Sequence, residues 1–433
     1  MTDTARIILW GTDIGAVTWL PDRDFGVFQY TPEFSEAPIE VAPLAMPLRS
    51  APYQFSGLPQ EAFKGLPGLI ADSLPDRFGN ALINAWLSRE GRAPESFSPV
   101  ERLCYTGSRG MGALEFKPRL KESPSRASKI ELESLVDLIN HVLDDRIALS
   151  GKFTGDNDQQ AIEDILRVGT SAGGARAKAV LAWNETTGEF RSGQAPAEKG
   201  FSQWLLKFDG IHGNKDKELA DPQGFGRIEY AYHLMARAAG IHMEDCRLFE
   251  EGGRAHFMTK RFDRTPSGDK LHMQSLGALC HYDFNAAGAY SYEQAIDAIR
   301  SLDLPVDDRE QQVRRAFFNI AARNQDDHVK NIAFLMDRRG TWRLSPAYDV
   351  AYAFNPLGAW TSQHQMSLNG KRDGFDTDDL IAFGAHAGFK SAKSKALLAD
   401  VMDAVIQWPS HAEDAEVLKA DIARIGRAHR TGF

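Results

Sequence analysis

A run of eight residues, Asn324 to Asn331, constrains the fold and function of this chain more than any other feature. Seven of the eight residues are polar or charged, yet the run lies directly between two apolar elements. A helical stripe of Val313, Phe317 and Ile320 precedes it, and a hydrophobic strand from Ile332 follows it. An ordinary polar loop between a helix and a strand is one interpretation. A functional loop is the other, and acidic residues further along the chain favour it.

Three residues in and after this run have the spacing of a phosphotransfer centre. Asn331 lies five residues after Asp326, and Asp349 lies 23 residues after Asp326, across a predicted hairpin. In protein kinases this layout brings a base and two metal ligands together. One carboxylate orients and deprotonates the attacking hydroxyl, while an amide oxygen and a second carboxylate hold Mg²⁺ on the phosphates. The spacing therefore favours these three residues as a catalytic set.

Two further features are compatible with a bound phosphate. The glycine-rich segment 168–178 lets backbone N–H groups converge on an anion, because small residues do not obstruct the approach. It lacks the Lys-Ser/Thr ending of a Walker A loop, and a simple turn remains the alternative. Lys207 lies in an otherwise apolar strand, where it either extends to solvent from an edge or faces an anion in a cleft. Glu229 on the following helix is its candidate counter-ion.

Composition excludes several classes of protein. The chain has 50 Lys and Arg against 59 Asp and Glu, a net charge of −9, which argues against a stand-alone nucleic-acid binder. Its three cysteines, Cys104, Cys246 and Cys280, are far apart, which predicts reduced thiols in a cytoplasm. No stretch approaches the roughly 18 apolar residues of a membrane-spanning helix. The short apolar run near the N-terminus predicts a first strand and not a signal peptide.

The segment patterns predict an α+β chain of three parts. Residues 1–118 form a small α+β unit with three early strands and a helix that begins near Pro75 and Asp76. A polar linker follows, and then a helix with an apolar face near residues 135–143. Residues 130–265 form a sheet-rich lobe, and residues 266–433 form a mainly helical lobe.

The order of these segments resembles the HipA family of bacterial serine/threonine kinases, the toxins of toxin–antitoxin pairs. Five segments carry the resemblance: the glycine-rich segment, Lys207, Lys260-Arg261-Phe262-Asp263, the 324–331 run, and Tyr348-Asp349. It extends into the first part of the chain through residues 69–78 and 107–114. The resemblance implies a bilobal protein-kinase-like fold, with a sheet-rich N-lobe and a helical C-lobe, behind a small α+β N-terminal subdomain.

The resemblance also implies a role for each matching residue. Asp326 is the catalytic base, and Asn331 and Asp349 are the Mg²⁺ ligands. Lys207 holds the α- and β-phosphates. The remaining ATP-binding residues are Gly173, Gly174, Ala175, Arg176, Ala177 and Lys178 in the phosphate loop, His328, Lys330 and Tyr348, and the hinge of Lys260, Arg261 and Phe262, with Asp263 on the ribose. Ser171 takes the place of a regulatory serine that is autophosphorylated, with Thr170 beside it as the alternative.

By this resemblance the chain is expected to be a cytoplasmic kinase toxin that uses ATP and Mg²⁺. Its expected partner is a small HipB-like DNA-binding antitoxin, through which it contacts DNA, and its expected substrate is a protein such as an aminoacyl-tRNA synthetase. No membrane is involved. Two other functions remain open: a nucleotide-binding co-repressor with little kinase activity, and a small-molecule phosphotransferase. Trp360 and Phe375 are interpreted as part of a solvated loop, and His364 as an ordinary surface or core histidine.

Overall fold

The computed structural model describes residues 2–120, 139, 176–193, 199–211, 215–216, 219–220 and 223–433. The predicted phosphate-loop residues Gly173, Gly174 and Ala175 lie outside the described residues, and so do Thr170 and Ser171. Most of the helix predicted near 135–143 also lies outside them. The described part contains both sheets and helices, which confirms the predicted α+β class.

The first part of the chain is built on a four-stranded antiparallel sheet. Its elements are β1 (Thr4–Leu9), β2 (Thr12–Leu20), β3 (Phe25–Tyr30), α1 (Gln60–Phe63), α2 (Gly68–Ala71), α3 (Arg77–Arg89), α4 (Pro99–Thr106) and β4 (Leu114–Lys117). The strand order is β3-β2-β1-β4. Helix α3 begins after Asp76, whose Oδ1 accepts a hydrogen bond from the backbone N–H of Gly79 at 2.6 Å. The predicted helix start is therefore confirmed, because Asp76 caps the free N–H groups of the first turn.

The second part contains a five-stranded antiparallel sheet in the order β10-β11-β7-β5-β6. Its elements are β5 (Lys178–Asn184), β6 (Glu189–Ser192), β7 (Ser202–Lys207), β8 (Lys215–Asp216), β9 (Leu219–Ala220), α5 (Phe225–Ala238), β10 (Cys246–Glu251) and β11 (Arg254–Lys260). Strand β7 lies in the middle of this sheet, and Lys207 at its end pairs with Lys178 on one side and Phe257 on the other. Lys207 is therefore not on an edge strand, which removes the alternative in which it simply extends to solvent.

Helix α5 packs unusually close to strand β11. A Cβ atom added to Gly226 would lie 2.0 Å from the carbonyl oxygen of Ala255, so only glycine permits this approach. One turn later the same helix carries Glu229, which is 2% exposed. The close contact between helix and sheet thus brings a buried carboxylate to the face of the sheet that carries Lys207.

The third part is mainly helical. Its elements are β12 (His272–Ser275), α6 (Leu276–Cys280), α7 (Tyr292–Ser301), α8 (Val306–Ala321), β13 (Ala333–Met336), β14 (Trp342–Leu344), α9 (Thr377–His386), α10 (Ser391–Ile406), α11 (Trp408–Asp414) and α12 (Lys419–Ala428). Strands β12, β13 and β14 form an antiparallel sheet in that order, which confirms the predicted hairpin. The predicted apolar stripe of α8 is fully buried at Val313 and Phe317. These residues share one core with Tyr232 of α5, so α5 packs against the helical part.

All three cysteines are free thiols, as predicted. Within the described ranges, the helices are all too short or too polar to cross a lipid bilayer.

Buried histidines predict that the fold loses stability in mild acid. His272 is fully buried and donates from Nε2 to the carbonyl oxygen of Val41 at 2.9 Å, and burial lowers its pKa to about 4. In the unfolded chain a histidine has a pKa near 6.5 and takes up a proton below that pH. The unfolded state then binds more protons than the folded state, so stability falls as the pH decreases from about 6.5 to 4. We expect a loss of about 2 kcal/mol at pH 5 from this one residue.

Urea unfolding at pH 7 and pH 5 measures this effect. His272→Gln keeps a donor toward Val41 and should make the unfolding free energy less dependent on pH. An identical pH dependence in wild-type protein and His272→Gln would contradict the prediction.

Candidate active site

The three parts of the chain enclose one large cavity of about 890 Å³. All three residues predicted to form the catalytic set, Asp326, Asn331 and Asp349, line it. Five of the predicted ATP-binding residues line it too: Lys178, Lys207, His328, Lys330 and Tyr348. The polar run and the residues after the hairpin thus converge with the end of strand β7 on a single space.

Lys207 is the centre of a three-residue ion cluster at the wall of this cavity. Its Nζ lies 2.5 Å from Oε1 of Glu229 and 2.6 Å from Oδ1 of Asp349. Burial disfavours the charged form of Lys207, but the carboxylates of Asp349 and Glu229 outweigh burial and raise its pKa. Burial likewise opposes ionisation of Asp349, and Lys207 and Lys178 overcome it and hold the pKa of Asp349 well below its ordinary value. Lys207 and the carboxylate of Asp349 are therefore charged at neutral pH.

The backbone at Asp349 has an unusual conformation. Its φ angle is +57°, in the left-handed region that residues other than glycine rarely adopt. Such positions cost free energy and cluster at functional sites. Here the conformation directs a carboxylate into the cavity, where the ion pair with Lys207 holds it.

The polar run itself forms a tight loop between α8 and β13. Residues Val329–Asn331 make one turn of 3₁₀ helix, and the side-chain amide of Asn331 donates to the backbone oxygen of Asp326 at 2.9 Å. The carboxylate of Asp326 faces the cavity and accepts a hydrogen bond at Oδ1 from Nε1 of Trp360 at 2.6 Å. Asp326 and Asn331 are thus fixed to each other by the loop's own hydrogen bonds.

His328, Lys330 and Tyr348 form a connected layer beside the catalytic set. The hydroxyl of Tyr348 donates to the backbone oxygen of Lys330 at 2.5 Å. The ammonium of Lys330 lies 4.4 Å from the ring centre of Phe284, and the ring of His328 meets the same phenylalanine edge-on. Lys330 therefore presents a cation at the cavity wall, and no carboxylate of the described residues forms an ion pair with it.

Lys178 and the neighbouring residues mark the end of the predicted phosphate loop. The Nζ of Lys178 lies 3.4 Å from Oδ2 of Asp76, and each of these side chains is 5% exposed. Arg176 lies over the ring of Phe225 and 3.9 Å from Glu229, and Ala177 is fully buried. Sequence reasoning treated Asp76 only as a helix cap. Its second oxygen also places the first part of the chain in direct contact with a cation of the cavity.

The predicted hinge is placed differently from the expectation. Phe262 packs against Tyr348 with ring centres 5.3 Å apart, and Lys260 ends strand β11. Arg261 and Asp263 are 4% and 0% exposed, and neither lines the cavity. Both oxygens of Asp263 are bonded to Arg261, and Oδ2 also accepts from Arg264 and from the backbone N–H of Gly112 at 2.7 Å.

The predicted ribose contact of Asp263 is therefore corrected: its carboxylate is saturated inside the protein. Asp263 holds two arginines, and through Gly112 it joins the first part of the chain to the sheet-rich part. Burial alone would raise its pKa, but Arg261 and Arg264 lower it far below the ordinary value. Sequence reasoning missed this because burial and pairing are properties of the folded chain.

Asp263→Asn is expected to destabilise the fold by about 3–5 kcal/mol, because it leaves two buried guanidinium groups without a counter-charge. The exposed neighbour Asp269 supplies the control variant Asp269→Asn, which should change stability little. Urea unfolding measures both variants. Normal stability together with weakened nucleotide binding in Asp263→Asn would restore the ribose contact and contradict this assignment.

The donor set fits Mg²⁺ and a nucleotide triphosphate. Asn331 and Asp349 line the cavity, and no described residue donates a hydrogen bond to Oδ1 of Asn331 or Oδ2 of Asp349. Mg²⁺ needs only one or two such protein oxygens when phosphates supply the others. The cations Lys178, Lys207 and Lys330 line the same space and suit a triphosphate. No group of three or more His, Cys, Asp or Glu side chains forms a ready metal cage in the described part of the chain.

A second network of hydrogen bonds, which sequence reasoning did not find, holds the loop of residues 324–331 in place. Asp327 is 3% exposed, and its Oδ2 accepts hydrogen bonds from Tyr292 at 2.6 Å and from Nδ1 of His364 at 2.7 Å. His364 is therefore a core histidine, as expected. The interpretation of Trp360 and Phe375 as a solvated loop is wrong, because Phe375 is 8% exposed and Trp360 contacts Asp326. No local sequence signal marks either contact, since both depend on chain segments far apart.

Comparison with known proteins agrees with this architecture. Residues 5–117 match the HipA N-terminal domain, and residues 170–408 match the HipA-like C-terminal domain. Two proteins of Sinorhizobium fredii, named putative kinase Y4dM and putative kinase Y4mE, are 25% and 24% identical over 222 and 206 residues. Those matches cover 47% and 44% of this chain, which spans about half the length of each relative, 50% and 48%.

Among solved structures, a chain in the Shewanella oneidensis MR-1 complex of the toxin–antitoxin system HipA, HipB and its operator DNA has the same fold. The TM-score is 0.68 at 16% identity, and the match covers 98% of this chain and 94% of that one. The predicted bilobal architecture behind an N-terminal subdomain is thus confirmed at the level of the fold. Since the C-terminal domain match alone spans more than half of the residues and the N-terminal match adds most of the rest, the chain belongs to the HipA family.

Proposed function

We propose that the protein is an ATP-dependent serine/threonine protein kinase. One observation carries the proposal: Lys207 bridges Glu229 and Asp349 at the wall of a cavity that Asp326 and Asn331 also line. In protein kinases an ion pair between a strand lysine and a helix glutamate accompanies the active arrangement of the phosphate-binding groups. The contact between Lys207 of strand β7 and Glu229 of helix α5 supports the proposal, because it joins a lysine and a glutamate on the same kinds of element.

The proposed reaction is a single in-line transfer. The oxygen of a substrate hydroxyl forms a bond to the γ-phosphorus of ATP, and the bond from that phosphorus to the β,γ-bridging oxygen breaks, releasing ADP. The proton of the hydroxyl passes to the carboxylate of Asp326, which faces the cavity. Lys207, Lys178 and Lys330 bind and orient the phosphates, so positioning and charge neutralisation supply most of the rate. Asn331 and Asp349 would hold Mg²⁺, which would supply charge neutralisation at the phosphates.

The biological role follows from the family and is part of the same proposal. The Shewanella relative is described in a complex with HipB and operator DNA, which supports a small HipB-like antitoxin as the partner of this chain. We assign the protein to the cytoplasm, as a toxin whose substrate is a translation-related protein such as an aminoacyl-tRNA synthetase. Autophosphorylation is assigned to Ser171, which lies outside the described residues.

Incubation of the purified protein with γ-labelled ATP, Mg²⁺ and a cell lysate tests the proposal. We expect label on serine or threonine of this chain and of at least one lysate protein, and none without Mg²⁺. Label recovered only in a small metabolite would instead identify a small-molecule phosphotransferase. Tight ATP binding without any labelled product would identify a nucleotide-binding co-repressor.

A further inference from the structure

The loop after Asp349 contacts the proposed catalytic base. Trp360 is 34 residues beyond Asp326 in the chain, yet its indole N–H donates to Oδ1 of Asp326 over 2.6 Å. Among the described residues the other carboxylate oxygen of Asp326, Oδ2, accepts no hydrogen bond, and no lysine, arginine or histidine lies within ion-pair distance of either oxygen. Trp360 is thus the residue that fixes the orientation of this carboxylate in the described part of the molecule.

Trp360 is held in place by the same network that holds the catalytic loop. The side-chain amide of Gln365 donates to the backbone oxygen of Trp360 at 2.5 Å and to that of Gln325 at 3.2 Å. The backbone N–H of Gln365 donates to Oδ1 of Asp327 at 2.7 Å. Gln365 is 3% exposed, so these bonds are protected from water. The indole and the catalytic loop are therefore fixed to one buried side chain and keep a constant relative position.

We propose that Trp360 is a positioning residue for phosphoryl transfer, an inference that rests on the proposed kinase function. Its indole N–H fixes the carboxylate plane of Asp326 by occupying Oδ1, which leaves Oδ2 to accept the proton of the substrate hydroxyl. A carboxylate without such a bond rotates about its terminal torsion, which is broad and soft. Fixing the plane raises the fraction of encounters in which the hydroxyl and the acceptor oxygen are aligned.

An inhibitory role of Trp360 would predict the opposite effect on the rate of phosphoryl transfer. If the indole occupied the place of the substrate hydroxyl and blocked it, removal of the N–H would release the base and increase the rate. The geometry favours positioning, because the bond occupies one oxygen of Asp326 and leaves the other open to the cavity.

Trp360→Phe tests the proposal, because it keeps an aromatic ring and removes only the donor. We expect kcat to fall by about tenfold, as for the loss of one hydrogen bond to a charged group. The KM for ATP and the Kd for Mg·ATP should change little, because the variant removes the hydrogen bond to Asp326 and leaves the cavity lysines Lys178, Lys207 and Lys330 unaltered. Trp360→His keeps a ring N–H and should recover part of the loss. Unchanged or increased kcat in Trp360→Phe would overturn the proposal.

Trp342 supplies a matched control, because its indole N–H also donates to an oxygen, the backbone carbonyl of Glu40 at 3.1 Å, outside the cavity. Trp342→Phe should leave kcat unchanged. An equal fall in both variants would indicate a general effect of losing an indole and would overturn the specific role of Trp360.

A spectroscopic readout separates this inference from the proposed function. The indole ¹H–¹⁵N resonance of Trp360, identified by its absence in Trp360→Phe, should move in Asp326→Asn, since the acceptor loses its charge. If the wild-type protein transfers no phosphoryl group, the proposed function fails and with it the positioning role. A moving resonance would then show that only the contact is correct, and a stationary one would refute the contact as well.

Discussion

Asp326→Asn is expected to reduce phosphoryl transfer by roughly 100- to 10,000-fold, the range for loss of a catalytic acid or base. The amide keeps the size and an acceptor oxygen for Trp360, but it takes up no proton from the substrate hydroxyl. Nucleotide binding should survive, because the cations that suit the phosphates, Lys178, Lys207 and Lys330, are unaltered. Single-turnover transfer from labelled ATP and calorimetric titration with Mg·ATP measure the two effects separately.

Asp403 on helix α10 supplies the control for this variant. It is an exposed aspartate of the helical part, and it does not line the cavity. Asp403→Asn makes the same chemical change and should leave both transfer and binding unchanged. Normal turnover in Asp326→Asn would contradict the role of Asp326 as the base, whether or not ATP binding is also lost.

The second large effect is expected for Lys207→Met, which should abolish activity and destabilise the fold. Glu229 is 2% exposed and loses its nearest counter-ion, since Arg176 lies 3.9 Å away, and removal of one partner from a buried ion pair costs about 3–5 kcal/mol. Asp349 contributes less to this loss, because its side chain is 38% exposed. Mg·ATP binding should weaken at the same time, since the cation expected to hold the α- and β-phosphates is gone.

A double variant separates the two consequences of losing Lys207. Glu229→Gln combined with Lys207→Met removes both buried charges, so most of the lost stability should return while transfer remains absent. Urea unfolding and labelled-ATP transfer measure the two properties. Recovery of transfer in the double variant would show that Lys207 serves only to neutralise Glu229, contrary to the role assigned here.

The sequence predicted those parts of the fold that depend on local patterns. The first three strands, the start of helix α3 at Asp76, the buried stripe of helix α8 and the hairpin of β13 and β14 follow from hydrophobic spacing and turn residues. The same holds for Lys207, since a lysine in an apolar strand is expected to have a partner, and Glu229 is that partner. Local periodicity and the chemistry of single side chains were sufficient here.

Contacts between distant segments could not be predicted in this way. Asp263 was assigned to a ribose by its place in a motif, but its carboxylate is buried and accepts a hydrogen bond from the backbone of Gly112, 151 residues away. Trp360 was interpreted as part of a solvated loop because its neighbours are polar, and only the folded chain shows that it contacts Asp326. Asp76 was recognised as a cap, while its second oxygen pairs with Lys178 of another part.

We propose that Asp326, Asn331 and Asp349 surround a single Mg²⁺·ATP site. A crystal structure of the protein with Mg²⁺ and a non-hydrolysable ATP analogue tests it most directly. We expect a metal ion bound by the side-chain oxygens of Asn331 and Asp349. Lys207 should contact the phosphates, and the terminal phosphate should face Asp326. A nucleotide bound outside this cavity, or a metal ion that contacts neither Asn331 nor Asp349, would contradict it.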